Sequence, residues 1–181
     1  MGDSLGSNKV GHVKTVGIDE RVIEDRKEIE KILLSAKVGR LGMCCNGQPF
    51  IIPVNFAYES GSIYFHCSEQ GLKTDSLREN PIVCFEVDEY IDTVPGPVPC
   101  EYDTAYRSVV AFGKAQVLSS PTEKTLSLRL IVLKYAGEDQ AQNLTSSMVE
   151  EYRSSRDRKT AVVKIQIDRM IGKHSISGES E

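Results

Sequence analysis

The chain has 181 residues, 40% of them hydrophobic, and a formal net charge of -4. That length suits one domain, or one domain with decorations, and allows a sizeable core. The acidic balance argues against general nucleic-acid binding, which needs a basic excess, and with no membrane-length apolar run and no signal peptide the expected location is the cytoplasm.

Residues 1–18 are rich in Gly, Ser and Lys without periodicity and read as a flexible arm. The main domain is expected over residues 19–174. Asp25 followed by Glu28 resembles a capping box, and Ile29, Ile32, Leu33 and Ala36 then share one helical face, with Gly39 expected to end the helix. The run RLGMCC reads as a strand, and Asn46-Gly47 as a hairpin turn into the strand PFIIPVNFAY. Pro53 inside that strand implies a bulge or an unpaired edge, where a ligand could meet free backbone. The turn ESGS, with Gly61, leads back into SIYFHC. Alternation puts Ile63, Phe65 and Cys67 on one face and Tyr64 and His66 on the other.

A short helix is expected from Gly71-Leu72-Lys73 to Asn80-Pro81. A glycine, free backbone N–H groups and a lysine at a helix start can hold a phosphate, with Ser68, Thr74 or Ser76 adding hydroxyl donors. PIVCFEVDEY is the next strand. The stretch 91–103, with Pro95, Pro97 and Pro99, reads as a loop: a lid, a dimer contact or a solvated linker. AYRSVVAFGKAQVLS is a long strand with Gly113 marking a bend or bulge. Ser120-Pro121, with Glu123, starts a helix carrying Leu126, Leu130 and Leu133 as an apolar stripe and ending at Gly137. Residues 138–159 are polar with one short helix expected near 147–153. TAVVKIQID is the last strand, with Ala161, Val163, Ile165 and Ile167 facing one way, and residues 175–181 form a polar tail.

Strands joined by short turns favour antiparallel pairing over a Rossmann-type sheet. About six such strands would protect their edges best by closing into a small barrel. The fold class is therefore mainly β with peripheral helices: a split antiparallel barrel of about six strands, Greek-key like.

The five cysteines, Cys44, Cys45, Cys67, Cys84 and Cys100, contain no C-x-x-C pair and read as reduced thiols without a metal. His66 projects beside Tyr64, five residues before the phosphate-like step, and is either structural or functional. His12 and His174 form no constellation with it. Arg40 and Arg107 lie within strands, where a charge needs solvent or an anion, and either could assist a phosphate. A Cys67–His66 nucleophilic pair is disfavoured because strand neighbours point to opposite faces. No P-loop and no G-x-G-x-x-G is present.

The series RLGMCC, NGQPFIIPVNFAY, SIYFHC, GLK, LRENPIVCFEV, YRSVVAFGKAQVL and TAVVKIQID, followed by IGK, resembles the FMN-binding split-barrel flavoproteins. Within them it is most similar to the branch of the NimA-type 5-nitroimidazole resistance proteins, relatives of pyridoxamine 5'-phosphate oxidase. The resemblance covers roughly residues 25–173. It implies a homodimer with FMN at the subunit interface. Pro53, Val54, Asn55 and Phe56 would contact the isoalloxazine. His66, the candidate catalytic residue, and Cys67 would lie near the ribityl chain or ring, and Gly71, Leu72 and Lys73 would hold the phosphate. Ser108 and Val109 match the family's R-S-V segment, which approaches the flavin or that of the partner subunit. True pyridoxamine 5'-phosphate oxidases end in a Trp- and Arg-containing substrate motif; this chain has no Trp.

Three functions follow as expectations. The first is an FMN-dependent oxidoreductase in which NAD(P)H or another donor reduces the flavin and a small aromatic or nitro-aromatic acceptor takes the electrons. The second is a flavin or haem carrier or sensor on the same barrel, with His66 or His174 as a candidate axial ligand. The third is a cofactor-free structural dimer.

Overall fold

The computed structural model describes residues 21–175. The expected N-terminal arm lies outside the described residues, as does the tail beyond Ser175. Eight strands make one antiparallel sheet in the order β3-β2-β6-β7-β8-β5-β4, with β1 (Val22–Ile23) added beside β8. The strands are β2 (Gly39–Cys45), β3 (Gln48–Val54), β4 (Phe56–Glu59), β5 (Ser62–Ser68), β6 (Ile82–Val94), β7 (Asp103–Val117) and β8 (Thr160–Ser175). The ladder is open between β3 and β4, but Asn55 alone separates those strands in sequence. One stretch of chain thus pairs with β2, breaks at Asn55, and pairs with β5. This is the split in a split barrel, and it falls inside the segment that carries Pro53.

Local chemistry explains the turns. Asn46 and Gly47 have φ of 50° and 77°, and Ser60 and Gly61 have 48° and 78°. Both pairs supply the two left-handed residues that a tight two-residue hairpin needs. The expected bulge at Gly113 is present: the β7–β8 register slips between Phe112 and Gly113. A Cβ on Gly113 would lie 2.1 Å from the Gln166 carbonyl oxygen, so only glycine permits that strand approach.

Five helices decorate the sheet: α1 (Arg26–Ser35), α2 (Leu72–Glu79), α3 (Pro121–Ala136), α4 (Glu138–Asn143) and α5 (Ser146–Glu151). Helix α1 is capped by the Asp25 carboxylate, which accepts from the Lys27 N–H at 2.9 Å, and it buries Ile29, Ile32 and Leu33. It ends at Ala36, and Gly39 instead opens β2, packed beneath the Phe85 ring. The core is the barrel interior, with Phe56, Phe65, Phe85, Leu41, Val87, Val109 and Ile165 fully buried. Phe56 and Phe85 meet edge to face at 4.9 Å.

Three further expectations change. Strands β6 and β7 run much further than the proline content of 91–103 suggests, so the loop shrinks to 95–102, with a 3-10 turn at Pro99–Glu101. The added length lies in the hairpin itself, where the pairing Val94↔Asp103 continues past a bulge at Tyr90–Asp92. The stripe Leu126, Leu130, Leu133 does not face the core: Leu126 and Leu133 are exposed, and α3 buries Thr125, Ser127 and Ile131. Small side chains let α3 approach its neighbours closely, whereas a leucine count records only hydrophobicity. Helix α4 has too few apolar residues to announce itself in the sequence.

Candidate functional site

Strand β5 delivers the first residues. Phe65 points into the core, and His66, facing the other way, is exposed. Cys67 lies partly covered at the strand end. Helix α2 starts four residues after β5 ends and is tied to it by Thr74, whose hydroxyl donates to the Ser68 carbonyl at 2.6 Å and lies 3.6 Å from Cys67 Sγ. Thr74 is fully buried, so this contact fixes the start of α2 against β5.

That start suits an anion. Gly71 has φ of 124°, outside what a side chain tolerates, and nothing lies within 4 Å of where its Cβ would be. No side chain caps α2. Its first hydrogen bond is the Asp75 N–H to the Gly71 carbonyl, which leaves the N–H groups of Leu72, Lys73 and Thr74, in the first turn, without an acceptor within the helix. Lys73 forms no ion pair among the described residues, and its Nζ sits 5.9 Å from the centre of the Phe65 ring. Leu72 beside it is exposed.

The same neighbourhood sets the titration of β5. Partial desolvation, then the Lys73 ammonium, lowers the His66 pKa, so the imidazole is neutral at pH 7. Burial raises the Cys67 thiol pKa, against the Thr74 hydrogen bond and the Lys73 and Arg78 charges. A protonated, partly buried thiol is a poor nucleophile, which agrees with the expected failure of a Cys67–His66 pair.

Pro53, Val54, Asn55 and Phe56 occupy the break between β3 and β4. The last β4–β5 pair is Phe56↔Phe65, so Asn55, one step further, is at the level of His66. Pro53 and Asn55 are exposed and β3 is a sheet edge. Val54 and Phe56 are buried. Phe56 is spoken for: its N–H donates to the Tyr135 hydroxyl at 3.0 Å, its carbonyl lies 3.2 Å from the same oxygen, and Lys134 Nζ sits 3.8 Å over its ring. The expected side-chain contact from Phe56 to a flavin ring is therefore withdrawn. The ring fills the core, and Tyr135 satisfies the backbone.

Ser108 and Val109 do not join this cluster within one chain. His66 pairs with Val162 and Ser108 with Lys173 along β8. Eleven residues at ~3.3 Å each separate those levels by roughly 35 Å along the strand. Val109 is fully buried in the core face and offers no side chain to a ligand. Arg40 is also unavailable to a phosphate, because Glu86 at 3.0 Å and Asp88 both take its guanidinium across the sheet. Arg107 lies opposite His174, far from Lys73. Its Nε and His174 Nδ1 are buried without a hydrogen-bond partner among the described residues.

Thr74 and Ser76, expected as hydroxyl donors to a phosphate, are spent within the chain: Thr74 donates to the Ser68 carbonyl and Ser76 to the Leu72 carbonyl, each at 2.6 Å. Sequence reading missed Tyr135 and Lys134. Each acts through a contact distant in sequence, and no local pattern marks such a role. It also missed that β5 borders a cavity of about 590 Å³, with His66, Cys67 and Ser68 on one side and the helices α3 and α5 on the other.

Among the described residues no helix is long and apolar enough to cross a membrane, and no group of three or more metal-binding side chains occurs.

Comparison with known proteins agrees with this architecture. A family model described as pyridoxamine 5'-phosphate oxidase matches residues 25–174. A crystal structure of a candidate 5-nitroimidazole antibiotic resistance protein from Bacteroides thetaiotaomicron is 28% identical, with a TM-score of 0.67, covering 84% of this chain and 85% of that one. The FAD and haem binding protein from Mycobacterium smegmatis superimposes with a TM-score of 0.73 at 19% identity, covering 89% and 76%, a likeness of fold. An uncharacterized Rhizobium meliloti protein is 27% identical over 96 residues, 53% of this chain. The match spans 56% of that relative's own length.

Proposed function

The chain belongs to the pyridoxamine 5'-phosphate oxidase family, and from that premise we propose that it is a flavin-binding oxidoreductase that works as a homodimer with FMN at the subunit interface. The observation that carries the reading is the start of α2: an open glycine cradle at Gly71, an uncapped helix end, and Lys73 without an ion pair, all held beside His66 by the buried Thr74 contact. These residues fit a flavin phosphate, because unpaired backbone donors and a cation are what a dianion requires.

When bound, the flavin supplies the hydride and electron chemistry. The protein's own part is to hold and orient. Gly71, Leu72 and Lys73 grip the phosphate. Pro53, Val54 and Asn55, at the break in the barrel, border the ring end with backbone at a sheet edge. His66 stands between these two ends, and its neutral imidazole can accept a proton. NAD(P)H is the proposed donor. The proposed acceptor is a small aromatic or nitro-aromatic molecule, a reading supported by the 28% identical 5-nitroimidazole resistance candidate. The absence of Trp speaks against vitamin B6 oxidation.

A second copy of the chain supplies what one copy lacks. Gly42, Cys44, Ile51, Ile82, Cys84 and Phe112 line an apolar concavity of about 660 Å³ on the outer sheet face, and Ile51 is 69% exposed. A partner covering that face would bury it and could bring its own Ser108 strand toward the flavin.

The test is the visible spectrum of the purified protein, followed by anaerobic titration with NADH and NADPH. A yellow protein bleached by either is expected, with Lys73→Ala weakening flavin binding on the order of 10- to 100-fold for the lost charge-assisted contact. A colourless protein that releases no flavin on denaturation refutes the reading.

A further inference from the structure

The cavity beside β5 has walls of two different kinds. Leu128 and Val132 from α3, Leu144 from the α4–α5 connection, and Val149 from α5 make one side apolar. His66, Cys67 and Ser68 make the other. At the mouth stand Arg158 and Lys159, both exposed, just before β8. No carboxylate lines the cavity. Its volume, about 590 Å³, is that of a pocket for a compact organic ligand.

The two cations are positioned by the backbone, not by acidic partners. The Lys159 carbonyl accepts from the Glu69 N–H at 3.0 Å, which ties the loop to the end of β5. The Arg158 N–H donates to the Ser154 hydroxyl at 3.2 Å, and the Ser154 N–H donates to the Arg158 carbonyl at 3.0 Å. Neither cation forms an ion pair among the described residues. The guanidinium makes one long contact, 3.5 Å, to the Gln70 carbonyl. An apolar chamber with two cations at its mouth that have no carboxylate partner matches a ligand with a ring-sized apolar body and one anionic group.

We propose that this cavity binds an aromatic carboxylate or a similar aromatic organic anion, with the ring among Leu128, Val132, Leu144 and Val149 and the anionic group at Arg158 and Lys159. The proposal rests on the flavoprotein reading in one respect: His66 lines the cavity, so its ligand would be the acceptor. The aromatic acceptor class named above then narrows to anionic members.

The experiment is calorimetric titration of the protein as purified with 2-naphthoate and with its neutral analogue, 2-naphthalenemethanol. Flavin content is read separately by absorbance after denaturation. The carboxylate is expected to bind on the order of tenfold more tightly than the alcohol. Arg158→Gln should bring that ratio toward one. Val132→Trp, or Met148→Trp at a further residue lining the cavity if the first variant does not fold, should fill the chamber and abolish binding of both while flavin content stays unchanged. Equal affinities in the parent protein overturn the anionic class. Unchanged binding in a correctly folded filled variant overturns the location. Loss of flavin together with naphthoate overturns the proposal by making the cavity the cofactor's own. Heat is the readout, so a purified protein without flavin refutes the cofactor reading while the naphthoate ratio still decides the cavity.

Discussion

Replacing Tyr135 with phenylalanine removes one oxygen and should loosen the break in the barrel. The hydroxyl accepts from the Phe56 N–H at 3.0 Å and donates to the Lys37 carbonyl at 2.6 Å, with the Phe56 carbonyl at 3.2 Å as the alternative acceptor. A hydroxyl has one proton, so two hydrogen bonds count and not three. Phe56 is fully buried, so its N–H is left without an acceptor at a cost of about 1–3 kcal/mol. Lys37 is exposed, and water replaces that partner for about 0.5 kcal/mol or less. The sum is about 2 kcal/mol. For a chain of this size that is a fall in Tm of about 4–8 °C. Urea denaturation should show a lower midpoint with unchanged slope. Hydrogen exchange at the Phe56 amide should accelerate more than at Phe65, its partner across the β4–β5 ladder. A loss below about 0.5 kcal/mol, with Phe56 exchange unaltered, would mean that water already reaches this amide and would refute the reasoning.

Two further outcomes follow from the packing. A Cβ on Gly39 would lie 1.9, 2.5 and 2.8 Å from three atoms of the Phe85 ring, which is itself buried against Phe56. Gly39→Ala should therefore cost about 1–3 kcal/mol by overpacking, and adding Phe85→Leu should recover part of it in a double-mutant cycle read by urea unfolding. Lys134 has its pKa lowered to about 8, first by burial and then by the Lys37 charge. Below about pH 8 the ammonium is charged in both states and the burial penalty is present in full; between about 8 and 10.5 the unfolded chain holds the proton that the folded chain has lost, so stability rises with pH. Discounted for a half-exposed group, the gain is about 1 kcal/mol. Tm of the parent protein should rise between pH 8 and 10 relative to Lys134→Met, and parallel profiles would show that Lys134 does not titrate there.

Much of the fold could be read in the residues because the signals are local. Both tight hairpins follow from Asn-Gly and Ser-Gly pairs that accept positive φ. The bulge at Gly113 and the edge at Pro53 come from residues whose backbone limits are chemical facts of one position. The same holds for the start of α2, where Gly71, five residues after His66, and Lys73 lie within three residues of each other. The Leu126–Leu130–Leu133 stripe misled because α3 is apolar around much of its surface. Its buried face was chosen by how closely small side chains let it approach, not by hydrophobicity.

The tight hairpin turns, the glycine-and-lysine step and the sheet edge at Pro53 were legible in the sequence alone, since each is set by a few adjacent residues, whereas the order of strands in the sheet and the break of PFIIPVNFAY into two strands at Asn55 were decided by long-range pairing. Tertiary structure decided which side chains remained for a ligand. It spent Phe56 on the core and on Tyr135, gave Arg40 to Glu86 and Asp88, and set Ser108 roughly 35 Å along the strand from the level of His66. It also brought 158–159 to the mouth of a chamber built from β5, α3 and α5. Such assignments depend on contacts between residues tens of positions apart, and no local spacing encodes them.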